Sequence, residues 1–372
     1  MDVDILIIGG GVIGLAIADS ISNVQRSNRV LLVEKEDSFG KGTSSRNSEV
    51  IHSGIYYPKD SLKAKLCVEG KNLLYRLCSK NNIPHKKTEK LVVACEDSEI
   101  TSLERLIKQG NDNGVKDLKL LSKNEVASME PSILVVSAIY SPSTGIIDTH
   151  SLMDFFEKSS KSKGVDFAYK VKVNGISKIK EGYEVCLKDN DNATTKLTSK
   201  IVINSAGLYC DEIARLAGID TDKKNYNLVF CKGSYFQINN WKKGLVSRLI
   251  YPLPNKDGLG IHLNLTLDDR ASLGPDTEYI NKVEDYTINL DKEKFYMKAK
   301  KFLPFLNKMD IDPEMSGIRP KLTKGYSDFI IKEESDIGLP GFINLLGIES
   351  PGLTASPAIG RYVADIVKEI LS

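Results

Sequence analysis

The stretch Val3-Asp4-Ile5-Leu6-Ile7-Ile8-Gly9-Gly10-Gly11-Val12-Ile13-Gly14 decides the fold. Residues 3–8 are nearly all apolar and rich in β-branched types, the pattern of a strand buried on both faces. Three glycines end it. Ile13, Ala16, Ile17 and Ile21 then recur at helical spacing across residues 12–24, and Val30-Leu31-Leu32-Val33 reads as a second buried strand. Together they predict a β-α-β unit. Gly9, Gly11 and Gly14 form G-x-G-x-x-G at its turn, and Glu34 closes the second strand. Glycine permits the tight turn and a close backbone approach to a pyrophosphate. The helix start at Val12 and Ile13 supplies amide donors and partial positive charge, and the Glu34 carboxylate can accept from an adenosine ribose. The pattern predicts a dinucleotide site, and Glu34 would repel a 2′-phosphate, which argues against NADP.

Composition bounds the rest. With 372 residues, 41% hydrophobic and 51 basic against 49 acidic side chains, the chain reads as globular and excludes disordered, collagen-like and disulfide-scaffold classes. A formal charge of +2 gives no global pull towards nucleic acid, so none is expected as a partner. Cys67, Cys78, Cys95, Cys186, Cys210 and Cys231 show no C-x-x-C pair or metal spacing and are expected as reduced thiols with no metal. No apolar run approaches the roughly 20 residues of a membrane span, and no basic n-region precedes the first strand. The expected location is cytoplasmic, with peripheral membrane contact left open.

Further along, helices are expected over about 61–80, 98–109 (capped by Ser98) and 151–162, and a long one over 291–306. Strands are expected at 91–94, 201–203, 317–322 and 342–346, with hairpins near Glu181-Gly182 and Asp268-Asp269. Ser356-Pro357 is read as the start of a last helix, a capping hydroxyl followed by proline at the first helical position. The polar stretch 40–57 is too long for a plain connector and is expected to be functional. No second G-x-G-x-x-G exists; Gly258-Leu259-Gly260 lacks the third glycine. The fingerprint alone leaves NAD and FAD open, but a bound flavin would take its electrons from a substrate held directly against it.

The block Thr43-Ser44-Ser45-Arg46-Asn47-Ser48-Glu49-Val50-Ile51-His52-Ser53-Gly54-Ile55-Tyr56-Tyr57, continuing over Ser61 to Gly70, resembles the signature of FAD-dependent L-2-hydroxyglutarate dehydrogenases and oxidases, of the D-amino acid oxidase and glycine oxidase superfamily. Further similarities are Val202 to Leu208, Ile250-Tyr251-Pro252, Leu259 to Leu263, Leu273-Gly274-Pro275, Gly317-Ile318-Arg319-Pro320 and Gly347 to Thr354. Glu49 stands where that family commonly has glycine. The resemblance implies an α/β protein, α+β overall. A Rossmann-like FAD-binding domain of the glutathione-reductase type would be built from residues 1–85, 148–221 and 328–372. An inserted substrate domain with a mixed or antiparallel sheet would take 86–147 and 222–327. FAD would lie with adenosine at Glu34 and Lys35 and pyrophosphate at Gly9, Gly11, Val12, Ile13 and Gly14. Ser44, Ser45, Arg46 and Asn47 would line its middle, the Val173 backbone would meet adenine, and Ala206 and Gly207 would pack near the dinucleotide. Gly352, Leu353 and Thr354 would face the flavin.

The implied reaction oxidises a small anionic 2-hydroxy acid, L-2-hydroxyglutarate first, by hydride transfer to flavin N5, with oxygen or a quinone-linked carrier as electron acceptor. It needs a cation for the carboxylate and a base for the hydroxyl. Arg319 suits the first as a bidentate fork, and His52 or His262 suits the second. His85 and His150 are read as solvated or capping residues. Tyr56 and Tyr251 are candidate substrate contacts. Lys232-Gly233-Ser234-Tyr235 is read only as the start of a strand. Rival readings are an amine or amino-acid oxidase of the glycine or sarcosine type, a glycerol-3-phosphate dehydrogenase on the same fold, a non-catalytic flavin-binding protein, and NAD in place of FAD.

Overall fold

A computed structural model describes residues 1–24, 28–254, 260–288 and 291–372; Leu259 of the sequence similarities, and Gly258 of the incomplete second glycine motif, lie outside them. Strand β1 (Val3–Ile8), helix α1 (Val12–Val24) and strand β2 (Val30–Glu34) form the expected unit. β1 runs parallel to β2 on one side and to Thr194–Asn204 on the other, with Ile5 opposite both Val30 and Ile201. Val165–Tyr169 extends the parallel run beyond β2, and Leu339–Leu346 extends it beyond Thr194–Asn204. The parallel strands thus come from separated parts of the chain. A hairpin, Val171–Ile179 with Gly182–Asp189, and the strand Ile330–Glu334 complete a sheet of eight strands among the described residues.

Both faces of this sheet are covered, which is why β1 is apolar without alternation. Ile5 and Ile7 pack with Leu15, Ile17 and Ile21 of α1 and with Ile359, Val363 and Val367 of the last helix. Leu6 and Ile8 face Val202, Ile213 and Phe342 on the other side.

Among the described residues a second sheet has nine strands. Its longest pairing is antiparallel, between Val229–Ile238 and Ile311–Lys321, and Arg319 sits opposite Cys231 there. His262–Leu265 and Ala271–Gly274 make the hairpin expected at Asp268-Asp269. Leu249–Pro252 joins His262–Leu265 to Lys90–Ala94, which carries the sheet on to Ser137–Ser141.

Three local expectations are corrected. The last helix runs over Gly352–Leu371, so Pro357 lies inside it. Proline offers no amide to the Leu353 carbonyl four residues back. The Ser356 hydroxyl donates to that carbonyl at 2.9 Å instead, so the pair marks a repaired helix interior and not a cap. The helix expected over 291–306 is Lys292–Lys300, capped by Asp291. Pro304 cannot continue it, and Lys300 Nζ closes the chain by donating to the Pro304 and Leu306 carbonyls. The helix expected from Ser98 is Ile100–Asp112, with no side-chain cap of its own; it is led in by a single turn over Asp97–Glu99, where the Glu99 carboxylate reaches back to the Cys95 and Glu96 amides.

Candidate active site

A cavity of about 810 Å³ runs between the two sheets, towards the upper end of the roughly 300–1,000 Å³ usual for ligand sites. One end is built by the β1–α1 turn. Gly9, Gly11, Val12 and Ile13 line it, as do Glu34, Lys35, Ala206 and Gly207. Glu34 braces the turn: Oε2 accepts from the Gly10 amide at 2.6 Å and Oε1 from the Glu36 amide at 2.9 Å. Ser44 Oγ accepts from the Val12 amide at 3.0 Å, tying the polar stretch to the helix start. Arg46 lies 4.2 Å over the Tyr286 ring, and Asn47 Nδ2 donates to the Ser44 carbonyl. Both line the middle of the cavity.

Four predicted positions stand behind this wall. A Cβ on Gly14 would overlap the Gly9 carbonyl oxygen, so this glycine lets helix and strand pack closely. Ser45 spends its hydroxyl on the Gly40 carbonyl. Val173 is buried in the core beneath the sheet. Thr354 is fully buried, and its hydroxyl accepts from the His52 amide at 3.0 Å while donating to the Val50 carbonyl. Glu49 adopts φ 56°, the left-handed conformation that glycine favours, and its carboxylate accepts from the Thr149 amide.

The other end gathers His52, Tyr56, Tyr251, His262 and Arg319, beside Gly352 and Leu353 at the start of the last helix. His262 is stacked on Tyr251, ring centroids 3.6 Å apart. Its Nδ1 lies 2.9 Å from the Gly260 carbonyl. A carbonyl only accepts, so Nδ1 carries the proton and Nε2, which has no protein partner, keeps its lone pair. Burial, with Lys90 and Arg319 nearby, holds the imidazole down to about 3. His52 is likewise held well below its ordinary value by burial, then by Lys90 and His262. Its Nε2 lies 3.4 Å from Ser350 Oγ, and Nδ1 is without a partner.

Arg319 donates from Nη2 to the Asp276 carbonyl at 2.6 Å and, at 3.5 Å, to that of Lys232. The guanidinium crosses directly over Gly233, where a Cβ would overlap Nη2 and stand 3.2 Å from Cζ. This supplies a reason for Gly233, which sequence reading left without a role. His85 hydrogen-bonds the Ile83 carbonyl and His150 lies beside Phe39; neither lines the cavity.

Sequence reading also missed three charged residues in the wall. Lys63 and Lys321 both donate to Glu349 Oε1, at 2.9 and 2.7 Å, and all three are buried. The signal for Lys63 was its place among Leu66 and Gly70 on the buried side of its helix. Glu349 stood unassigned inside a quoted segment. Among the described residues no cluster of His, Cys, Asp or Glu could hold a metal ion, and no helix is long and apolar enough to cross a membrane.

The family model described as FAD dependent oxidoreductase matches residues 4–366. This chain belongs to that family. FAD is the cofactor of this FAD dependent oxidoreductase, and the glycine turn, Glu34 and the long cavity fit it. Among curated relatives it is 39% identical to the mitochondrial L-2-hydroxyglutarate dehydrogenase of Arabidopsis thaliana, over 98% of this chain and 83% of that protein. It is 34% identical to a glycerol 3-phosphate dehydrogenase of Caloramator mitchellensis, over 99% of this chain and 74% of the relative. Among solved structures, the L-alpha-glycerophosphate oxidase of Mycoplasma pneumoniae with FAD bound superimposes with TM-score 0.88 at 29% identity, covering 98% of this chain and 94% of that one.

Proposed function

We propose that this FAD dependent oxidoreductase oxidises a small 2-hydroxy acid, L-2-hydroxyglutarate first, to the 2-oxo acid. The observation that carries the reading is one arginine and two neutral imidazoles, Arg319, His52 and His262, converging on one end of the FAD cavity. The Arabidopsis relative's name supports the substrate. FAD, bound along Gly9–Ile13, Glu34, Lys35, Ser44, Arg46, Asn47, Ala206, Gly207 and Gly352, supplies the two-electron acceptor.

In this reading Arg319 binds the substrate's C1 carboxylate as a bidentate fork and orients Cα. The anchoring of Nη2 to the Asp276 carbonyl holds the fork still. The hydroxyl proton passes to the His52–His262 pair, each of which has a ring nitrogen without a protein partner. An imidazole held low in the empty site is a weak base. The arriving carboxylate raises it towards the working pH, so the anion that is to be oxidised also prepares its own base. Tyr56 and Tyr251 close the cavity floor and exclude water.

The division into an FAD domain (1–85, 148–221, 328–372) and an inserted substrate domain (86–147, 222–327) is part of the proposal, supported by how the strands partition between the two large sheets. So are oxygen or a quinone-linked carrier as electron acceptor and a cytoplasmic site; the six free cysteines suit a reducing compartment. A second reading, glycerol 3-phosphate as donor, is favoured by the names of the Caloramator and Mycoplasma proteins. Anaerobic mixing of the yellow enzyme with L-2-hydroxyglutarate, glycerol 3-phosphate or glycine decides. Bleaching by the first alone is expected; bleaching by either of the others and not by the first overturns the proposal.

A further inference from the structure

Lys90 opens the strand Lys90–Ala94 and is wholly buried. It lies between neighbouring strands, opposite Leu249 on one side and Ser141 on the other. Its Nζ has neither a hydrogen-bond partner nor an ion pair. Of the other buried lysines, Lys63 and Lys321 are paired with Glu349 and Lys232 with Glu278 and Asp285, while Lys71 donates to Ser143 Oγ. What Lys90 has instead is two aromatic faces, with Nζ 4.5 Å from the centre of Tyr56 and 4.8 Å from that of Tyr251. Both tyrosines line the cavity, and Tyr251 stacks on His262. Tyr56 Oη, His52 Nδ1 and His262 Nε2 share the want of a partner. An uncompensated cation therefore sits directly behind the catalytic end of the cavity. Such a group is costly to bury and is seldom retained without use.

We propose that Lys90 is a positioning residue: its ammonium, held behind Tyr56 and Tyr251, adds to burial in holding His52 and His262 in their unprotonated, proton-accepting forms and is the standing positive charge that the anionic substrate neutralises on binding. The proposal rests on the reading that the histidine pair takes the hydroxyl proton.

The groups facing this cluster come from every neighbouring element. Tyr56 and His52 lie on the loop after Val50–Ile51, and the Cys67 thiol, 3.6 Å from the His52 carbonyl, comes from the helix Leu62–Asn81. Tyr251, with its hydroxyl 3.3 Å from Asn264 Oδ1, and His262 come from the second sheet, Arg319 from the strand behind them, and Ser350 and Thr354 from the last helix and its approach. None is a carboxylate. Burial lowers Lys90 itself to about 7, so it is charged at and below that pH. That is the range in which an ordinary histidine, near 6.5, would take up a proton and lose its lone pair. Above it the charge is shed, where the histidines no longer need it.

Lys90→Met and Lys90→Arg, both as FAD-loaded enzyme, test this. The chain has four histidines, so the ring signals of ¹⁵N-histidine-labelled protein can be assigned by single substitution and followed against pH. In Lys90→Met the titration midpoints of His52 and His262 are expected to rise by about one pH unit, while Lys90→Arg keeps them low. By linkage, 2-oxoglutarate binding, read from the flavin spectrum, should weaken about tenfold in Lys90→Met at pH 6 and hardly at all at pH 9. Lys90→Arg should bind more tightly than wild type at pH 9, where lysine has lost its charge and arginine has not. Unchanged midpoints in Lys90→Met overturn the proposal. Should that variant not fold, equal binding of wild type and Lys90→Arg at pH 9 overturns it. Neither readout depends on turnover, so failure here is distinct from failure of the base assignment, which would show as full activity in His52 and His262 variants.

Discussion

Gly233→Ala is expected to disable substrate binding while leaving the protein folded. The added methyl would overlap Arg319 Nη2 and stand 3.2 Å from Cζ and 2.8 Å from Pro275 Cβ. Non-bonded carbon atoms pack at about 3.5–4.0 Å, so the guanidinium must retreat by roughly 1 Å. The Arg319 tip moves cheaply, but Pro275 Cβ belongs to a rigid ring, so the segment that carries it must shift as well. What is lost is the 2.6 Å bond to the Asp276 carbonyl and the aim of the fork. A fork that has lost its aim gives up about one hydrogen bond to the substrate carboxylate, worth about 1.5–3 kcal/mol, so the substrate dissociation constant should rise roughly 10- to 150-fold. The assay is anaerobic flavin bleaching against L-2-hydroxyglutarate concentration, with FAD content and melting temperature alongside. Wild-type half-saturation in Gly233→Ala with full FAD content would refute the placement of Arg319 on the substrate.

His52→Asn and His262→Asn should each retain yellow cofactor, and at least one should bleach about 10²–10⁴-fold more slowly, as loss of a general base does; full rates in both remove the pair from the mechanism. Glu349→Gln leaves Lys63 and Lys321 buried with no counter-charge and should cost about 3–5 kcal/mol, read by denaturant unfolding of the FAD-loaded enzyme; a loss under 1 kcal/mol would show that water reaches the triad. Lys90→Met should be more stable than wild type in a pH-dependent way. Lysine at about 7 in the fold and near 10.5 when unfolded penalises folding increasingly as pH falls from 10.5 to 7, and by a constant amount below. The gain should therefore be near zero above pH 10.5 and reach up to about 5 kcal/mol at pH 7; a gain equal at pH 7 and pH 9.5 contradicts a desolvated ammonium.

The cofactor half of this molecule was legible because backbone chemistry dictates residue type there. The tight β1–α1 turn demands glycine at Gly9, and Gly14 lets helix and strand pack closely, while the part of β1 covered on both faces, Ile5 to Ile8, is apolar throughout. Helix ends were less legible because the same local chemistry serves two purposes. Ser356-Pro357 reads as a cap in any window of sequence, and only the preceding turn, begun at Gly352, makes the hydroxyl a substitute for the missing proline amide. Ser98 likewise reads as a cap, but it lies inside a turn over Asp97–Glu99 that leads into the helix, and the Glu99 carboxylate reaches back to the Cys95 and Glu96 amides.

The substrate half resisted reading for a different reason: its decisive residues are defined by strand parity and by neighbours far along the chain. Lys90 precedes Leu91-Val92-Val93-Ala94 and passes for the polar end of a buried strand. Every residue of that strand is buried, Leu91 and Val93 as fully as Val92 and Ala94, so both faces are covered and the lysine is enclosed whichever way the strand turns. Gly233 is a plain strand glycine until Arg319, opposite Cys231 two residues before it in an antiparallel pairing, is seen to lie across it. Histidines and arginine can be chosen from sequence because the reaction names their chemistry. The residues that make them work, an absent side chain beneath the arginine and a cation behind the histidines, perform no chemistry of their own and so leave no motif. That asymmetry argues for testing Gly233 and Lys90 beside Arg319, His52 and His262. If the supporting pair can be exchanged without effect on binding or on histidine titration, the convergence of charge at this end of the cavity is packing, and the site for the substrate carboxylate must be sought elsewhere along its wall.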